Sequence, residues 1–229
     1  MKTPLILLHG ALSNASQLTP LQQALADKFD VHNLDFPGHQ KNDQYIDAID
    51  VQTLTDFVLD YIEQHQLDMP HIFGYSLGGY VALNLASQHP QKVGRVYSLA
   101  THFFWTSDFA QKNIAHLNAD KMLEKVPAFA QSLQQTFGDD YWRVVLDKTK
   151  DMMQKLGDND LLPEDVLCNI TNPVVVALGE QDKLVNKAAS QTVAASLPNG
   201  QFSPLVNTKH LFDQVDIINF KTELEAFLL

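Results

Sequence analysis

Five short apolar runs, and a weaker sixth, punctuate the chain. They are Leu5-Ile6-Leu7-Leu8, the stretch Val31 to Asp35, Pro70-His71-Ile72-Phe73, the stretch Val93 to Ala100 with Val96, Tyr97 and Leu99, Pro173 to Leu178, and the weaker Gln201 to Val206. Runs this short and this continuous predict strands buried on both faces of a parallel sheet. Between them lie longer segments of a different period. In Val51 to Gln66 the apolar residues Leu54, Phe57, Val58 and Tyr61 recur every three or four positions, which predicts an amphipathic helix. Similar stretches run from Leu18 to Phe29 behind the capping loop Ser13-Asn14-Ala15-Ser16, from Tyr80 to His89 until Pro90 stops it, from Lys187 to Leu197 and from Phe212 to Leu228. Gln40 to Asp50 is polar and reads as loop. Strands alternating with helices predict an α/β protein, with a mostly parallel six-stranded sheet and helices on both faces.

The alternation breaks at Thr101. Residues 101–170 contain no strand pattern and read as helices over Trp105 to Asn118, Lys121 to Phe137 and Asp139 to Leu156, with Pro127 breaking the second and Gly138 and Gly157 at C-terminal caps. The expected organisation is a core of residues 1–100 and 171–229 that carries a helical insertion over 101–170.

Composition narrows the function. The chain has 229 residues, 45% hydrophobic and 19% charged, enough for one domain with a full core. Its net charge of −11 repels phosphate backbones and anionic lipid, so neither nucleic acid nor a membrane surface is an expected partner. Cys168 is the single cysteine, which rules out an internal disulfide; it is expected to be a buried small hydrophobe. The N-terminal apolar run is too short for an export signal and no stretch approaches a membrane span, so a cytoplasmic location is expected.

The chemistry concentrates in Gly74-Tyr75-Ser76-Leu77-Gly78-Gly79, which sits between a predicted strand and a predicted helix. A serine flanked by glycines at such a junction is a nucleophile elbow: the sharp reversal strains the serine backbone and projects its hydroxyl, while side chains at the glycines would collide with the turn. A serine hydroxyl needs a base, and histidine titrates in the right range. Of nine histidines, His210 is best placed, after the last strand and before the last helix. His9 and His39 belong to turns and read as structural. The carboxylate that would orient His210 is Asp182, in Gly179-Glu180-Gln181-Asp182 after the Val-rich strand, ahead of Glu180 and Asp213. The amides of Leu77, at the helix start, and Ala11, after the first strand, are placed to hold an oxyanion. All these residues follow the carboxyl ends of predicted strands, where parallel sheets bind ligands.

With Leu7-Leu8-His9-Gly10, Asp35-Phe36-Pro37-Gly38-His39, the elbow, Gly179 to Asp182 and Lys209-His210, the chain resembles the α/β-hydrolase superfamily, in its small serine esterase form. The resemblance implies the α/β-hydrolase fold, a lid or cap at 101–170, and hydrolysis of a small-molecule carboxylic ester or thioester without cofactor or metal. His102, Phe103, Phe104 and Trp105 open the insertion and are expected to line the substrate pocket. Gln40 replaces the family's usual glycine after Pro-Gly-His, and the usual N-terminal strand pair is not seen. Three alternatives stay open. The chain is also similar to the biotin-pathway carrier-protein methyl esterase, whose acidic partner calls for a basic cap face, whereas residues 101–170 mix lysines with many acids. The menaquinone-pathway synthase, a carbon–carbon lyase, uses the same triad, but it has arginine where this chain has Tyr80. A hydrolase-fold binding or signalling protein with slow turnover would also keep these residues.

Overall fold

The computed structural model describes residues 2–40 and 49–229. Most of the predicted loop Gln40 to Asp50 therefore lies outside the described residues. Six strands form one sheet: β1 (Thr3–Leu8), β2 (Phe29–Leu34), β3 (His71–Tyr75), β4 (Val96–Leu99), β5 (Val174–Gly179) and β6 (Gly200–Leu205). The spatial order is β2-β1-β3-β4-β5-β6, and every neighbouring pair is parallel. Because side chains alternate across a strand, each apolar run feeds two cores. Ile6, Leu8, Ile72, Val96, Val174 and Val176 face one side, where they meet helices α2 (Val51–Gln64), α3 (Leu77–Gln88) and α9 (Lys187–Ser196). Leu5, Leu7, Phe73, Tyr97, Val175 and Ala177 face the other, against α1 (Thr19–Leu25) and α10 (Ile217–Leu228). The two-faced burial explains why the strands read as continuous apolar runs.

Between β4 and β5 the chain forms α4 (Ser107–Ile114), α5 (Ala119–Lys125), α6 (Pro127–Phe137), α7 (Tyr141–Asp158) and the short α8 (Glu164–Leu167). These helices carry a small core of their own, centred on Met122, Leu133, Phe137, Trp142, Val145 and Leu146. Both ends of the segment instead join the main core, through Phe103 at one end and Met152, Leu156, Leu162, Leu167 and Ile170 at the other.

Several local expectations are corrected. The first helix stops at Leu25, and Phe29 starts a strand paired with Thr3, because the turn at Ala26 to Lys28 closes with a Lys28 N–H bond to the Leu25 carbonyl. The elbow helix begins at Leu77, not Tyr80. Pro127 does break the predicted helix: α5 ends at Lys125 and Pro127 opens α6 at its first position, where its missing N–H costs nothing. Gly138 does end α6, with φ 99°. Gly157 is inside α7, and its smallness lets α4 approach: a Cβ there would overlap Ala110. Cys168 is exposed, not buried.

Candidate active site

The sheet's carboxyl edge gathers the candidate residues. Ser76 follows β3 directly, with φ 52° and ψ −110°, a conformation that costs a non-glycine residue energy. The neighbouring backbone holds it there. The Ser76 amide donates to the Leu99 carbonyl at 2.8 Å, and its own carbonyl accepts from the Gly79 amide at 3.1 Å and from the Thr101 hydroxyl at 3.0 Å. Thr101 is in turn 2.7 Å from the Ser98 hydroxyl, and both are buried. A Cβ on Gly74 would overlap the Gly78 backbone, and one on Gly79 would overlap the Thr101 and Ser98 hydroxyls. The glycines are therefore required by the backbone packed against them. The first amides of α3 point out beyond Ser76, where the helix dipole favours negative charge.

His210 lies in the loop after β6, and its Nδ1–H donates to Asp182 Oδ2 at 2.8 Å. Asp182 follows β5 with its side chain fully buried, while the His210 side chain is 14% exposed. Burial raises the Asp182 pKa, but the bond from His210 and those from the Val185 and Leu184 amides outweigh it, so the carboxyl is held below its usual value. Asp182 Oδ1 takes both amides, Leu184 at 2.8 Å and Val185 at 3.0 Å. An imidazole fixed this way keeps Nε2 as a proton acceptor facing the cavity. The Tyr75 hydroxyl donates to the His210 carbonyl at 2.8 Å, so the residue next to Ser76 also ties down the histidine loop.

The loop after β1 supplies the opposite wall. His9 is fully buried; the Phe36 amide donates to its Nε2 at 3.1 Å, which leaves Nδ1–H to donate to the Gly10 carbonyl at 2.8 Å. A peptide is planar and trans, so binding the Gly10 carbonyl turns the Ala11 amide to the other side. Burial first, and repulsion from His39 second, lower the His9 pKa to about 3, so the ring is neutral.

Ser76, Leu77, Ala11 and His210 border a cavity of about 810 Å³. Its roof comes from the segment between β4 and β5: Trp105, Phe129, Met152, Met153 and Leu156. Among the described residues no lysine or arginine lines it, and Asp213 is the one carboxylate. Of the four expected pocket residues, His102 and Trp105 line the cavity, but Phe103 and Phe104 do not. Phe103 is 5% exposed and packs in the main core with its ring on Tyr80, and Phe104 turns against that core with φ 58°. Apolar character alone could not tell core from cavity in four consecutive positions.

Sequence reading also missed a polar knot. The Tyr80 hydroxyl donates to Asp160 Oδ1 at 2.5 Å and accepts from the Leu161 amide at 3.1 Å, while Asp160 Oδ2 accepts from the Trp105 amide at 3.1 Å. Burial and the Asp160 charge raise the Tyr80 pKa, so the phenol stays protonated. Nothing in Gly157-Asp158-Asn159-Asp160 marks the last aspartate as the one that turns inward.

Among the described residues no group of histidines, cysteines and carboxylates could hold a metal ion, and no helix is long and apolar enough to cross a membrane.

A doubly wound parallel sheet with a strained Ser76 at the β3–α3 turn and a carboxylate-bound histidine after the last strand defines a class. The family model for the alpha/beta hydrolase fold matches residues 3–212, and the chain belongs to that family. Among its relatives is the hydrolase YugF of Bacillus subtilis (strain 168), 25% identical over 90% of this chain and 83% of that protein. The pimeloyl-[acyl-carrier protein] methyl ester esterase of Vibrio campbellii is also 25% identical, over 98% of this chain and 91% of its own length. In three dimensions a thermophilic esterase from Thermogutta terrifontis matches with a TM-score of 0.80 at 18% identity, over 100% of this chain and 90% of that one. The last likeness is one of fold.

Proposed function

We propose that the chain is a serine hydrolase of carboxylic esters or thioesters. The Ser76 hydroxyl attacks the acyl carbonyl while His210 Nε2 takes its proton, and Asp182 stabilises the imidazolium. The Leu77 and Ala11 amides hold the oxyanion. His210 then protonates the leaving alcohol or thiol. Water, deprotonated by the same nitrogen, releases the acid from the acyl-enzyme and restores Ser76. Residues 101–170 act as the cap that sets the acyl pocket, with Trp105, Met152 and Leu156 against the chain and His102 beside His210.

The observation that carries this reading is the 2.8 Å His210–Asp182 bond at the rim of the cavity that has Ser76 on its floor. The relative from Vibrio campbellii, named for ester hydrolysis, supports it. The absence of lysine and arginine from the lining among the described residues, with Phe129, Leu184 and Leu211 exposed at its border, supports an uncharged acyl chain. Tyr80, in place of an arginine that could bind a carboxylate, argues against the carbon–carbon lyase alternative.

A series of p-nitrophenyl esters from acetate to decanoate tests the proposal. Turnover by the wild type is expected, with a loss of at least about 10⁴-fold in Ser76→Ala and a melting temperature within a few degrees of wild type. Equal activity in Ser76→Ala, or wild-type rates no faster than buffer, would reject it.

A further inference from the structure

Among the described residues His102 has two ring nitrogens without a protein partner at the site, beside the likewise unpaired Nε1–H of Trp105. His102 follows β4, lines the cavity and is only partly buried. Its ring stands 6.2 Å from the His210 ring, 5.2 Å from Phe109 and 6.3 Å from Trp105, measured between centroids. Among the described residues neither ring nitrogen has a hydrogen-bond partner, although Thr101 and Ser98, close by, are fully engaged. A polar ring that is partly buried against two aromatic side chains and bonded to nothing in the protein is free to bind something polar that enters the cavity.

The neighbours specify that something. Burial first, and the nearby His210 second, lower the His102 pKa to about 4, with Asp182 opposing. The ring is therefore neutral at physiological pH and offers one N–H donor and one lone pair. No lysine or arginine joins it at the lining among the described residues, so an anion is a poor match. A hydroxyl, which both gives and accepts, fits. Position then decides which end of the substrate carries it. His102 flanks His210, the residue that hands a proton to the leaving oxygen, whereas the Ala11 and Leu77 amides hold the carbonyl side. Resting on the esterase reading above, we infer that His102 is a specificity-determining residue that hydrogen-bonds a hydroxyl on the leaving group, so that the natural substrates are esters of diols or other polyhydroxy alcohols.

Two esters of nearly equal size test this: 2-hydroxyethyl butyrate and propyl butyrate. Their kcat/KM ratio is first divided by the ratio of their hydroxide-catalysed rates, which removes intrinsic reactivity. The wild type is expected to prefer the hydroxyethyl ester by about 10-fold, the order expected for pairing a buried polar group. In His102→Phe, which keeps the ring shape without nitrogens, the ratio is expected within about twofold of one, whatever the absolute rates. His102→Gln, which restores a donor and an acceptor, is expected to recover a preference of about threefold or more. A wild-type ratio near one, or a preference that survives in His102→Phe, would overturn the inference and leave the esterase reading intact. Failure of the wild type to turn over either ester would remove both.

Discussion

The floor and the roof of the cavity are built on different principles. On the floor nearly every polar group is committed. Ser76 is pinned through both its amide and its carbonyl, Asp182 receives three hydrogen bonds, and Gly10 is held by its carbonyl, which accepts from His9, and by its amide, which donates to Gln17 Oε1 at 3.0 Å. The glycines there cannot gain a methyl group without displacing backbone or buried hydroxyls. The roof is a set of amphipathic helices around a small separate core. Outside the Tyr80 knot, its polar ties to the rest of the chain include surface contacts such as Lys155 with Asp50 at 3.0 Å. An exposed pair of that kind contributes little. The floor is thus held by backbone contacts that leave little room for substitution, and the roof by side-chain packing that leaves more.

That contrast can be broken at both ends. The largest effect is expected from Asp182→Asn on the floor. The amide keeps the shape but favours the wrong imidazole tautomer, and kcat on a short aryl ester is expected to fall by roughly 10³- to 10⁴-fold with KM changed only a few-fold. A loss below tenfold would separate Asp182 from the chemistry.

A smaller effect concerns pH. His9 has a folded-state pKa of about 3 against an ordinary value near 6.5. The unfolded chain therefore binds a proton between these values when the fold does not. The stability held by the neutral ring is complete above about pH 6.5, falls by about 1.4 kcal/mol per pH unit below it, and levels off below about pH 3. From pH 7 to pH 5 this amounts to about 2 kcal/mol. Urea midpoints at the two pH values should converge in His9→Gln, although not fully, because His102 adds to the slope in the same direction. An unchanged slope would show that His9 does not report on this edge of the floor.

The smallest catalytic effect is expected in the roof. Met152→Ala enlarges the cavity beside Trp105 and Leu156; kcat on an acetate ester should change by less than about tenfold, while the preferred acyl chain lengthens by a carbon or more. A collapse of activity on acetate would mean that the roof, like the floor, positions the reacting groups.

The same contrast governs what could be read from the sequence. Strands buried on both faces leave unbroken apolar runs, as at β1, β3, β4 and β5, whereas the edge strands β2 and β6, with exposed Asp30 and Gln201, left only broken ones. The elbow was legible because backbone crowding admits little but glycine at Gly74, Gly78 and Gly79. Asp182 and His210 were legible from their place after β5 and before α10, and the structure brings them into contact. What could not be read depended on direction. Phe103 and Trp105 are both aromatic and two residues apart, yet one fills the core and the other lines the cavity, because the chain reverses at Phe104 with a positive φ. Helix ends at Leu25 and Gly157 were misplaced because tertiary contacts, the β1–β2 pairing and the α4–α7 approach, override the local signal.

The knot at Tyr80 has a consequence for how such a chain can be remade. Asp160 binds the Trp105 amide at the start of the roof and the Tyr80 hydroxyl at the base of α3, so the outgoing and returning strands of polypeptide are fastened at one point on the elbow helix. Residues 106–159 leave and rejoin the chain beside that point, while Met152 and Leu156 within them pack into the main core. A segment exchanged for another family member's is therefore expected to leave the sheet intact only where Asp160, the phenol it grips and the core contacts of Met152 and Leu156 are all kept.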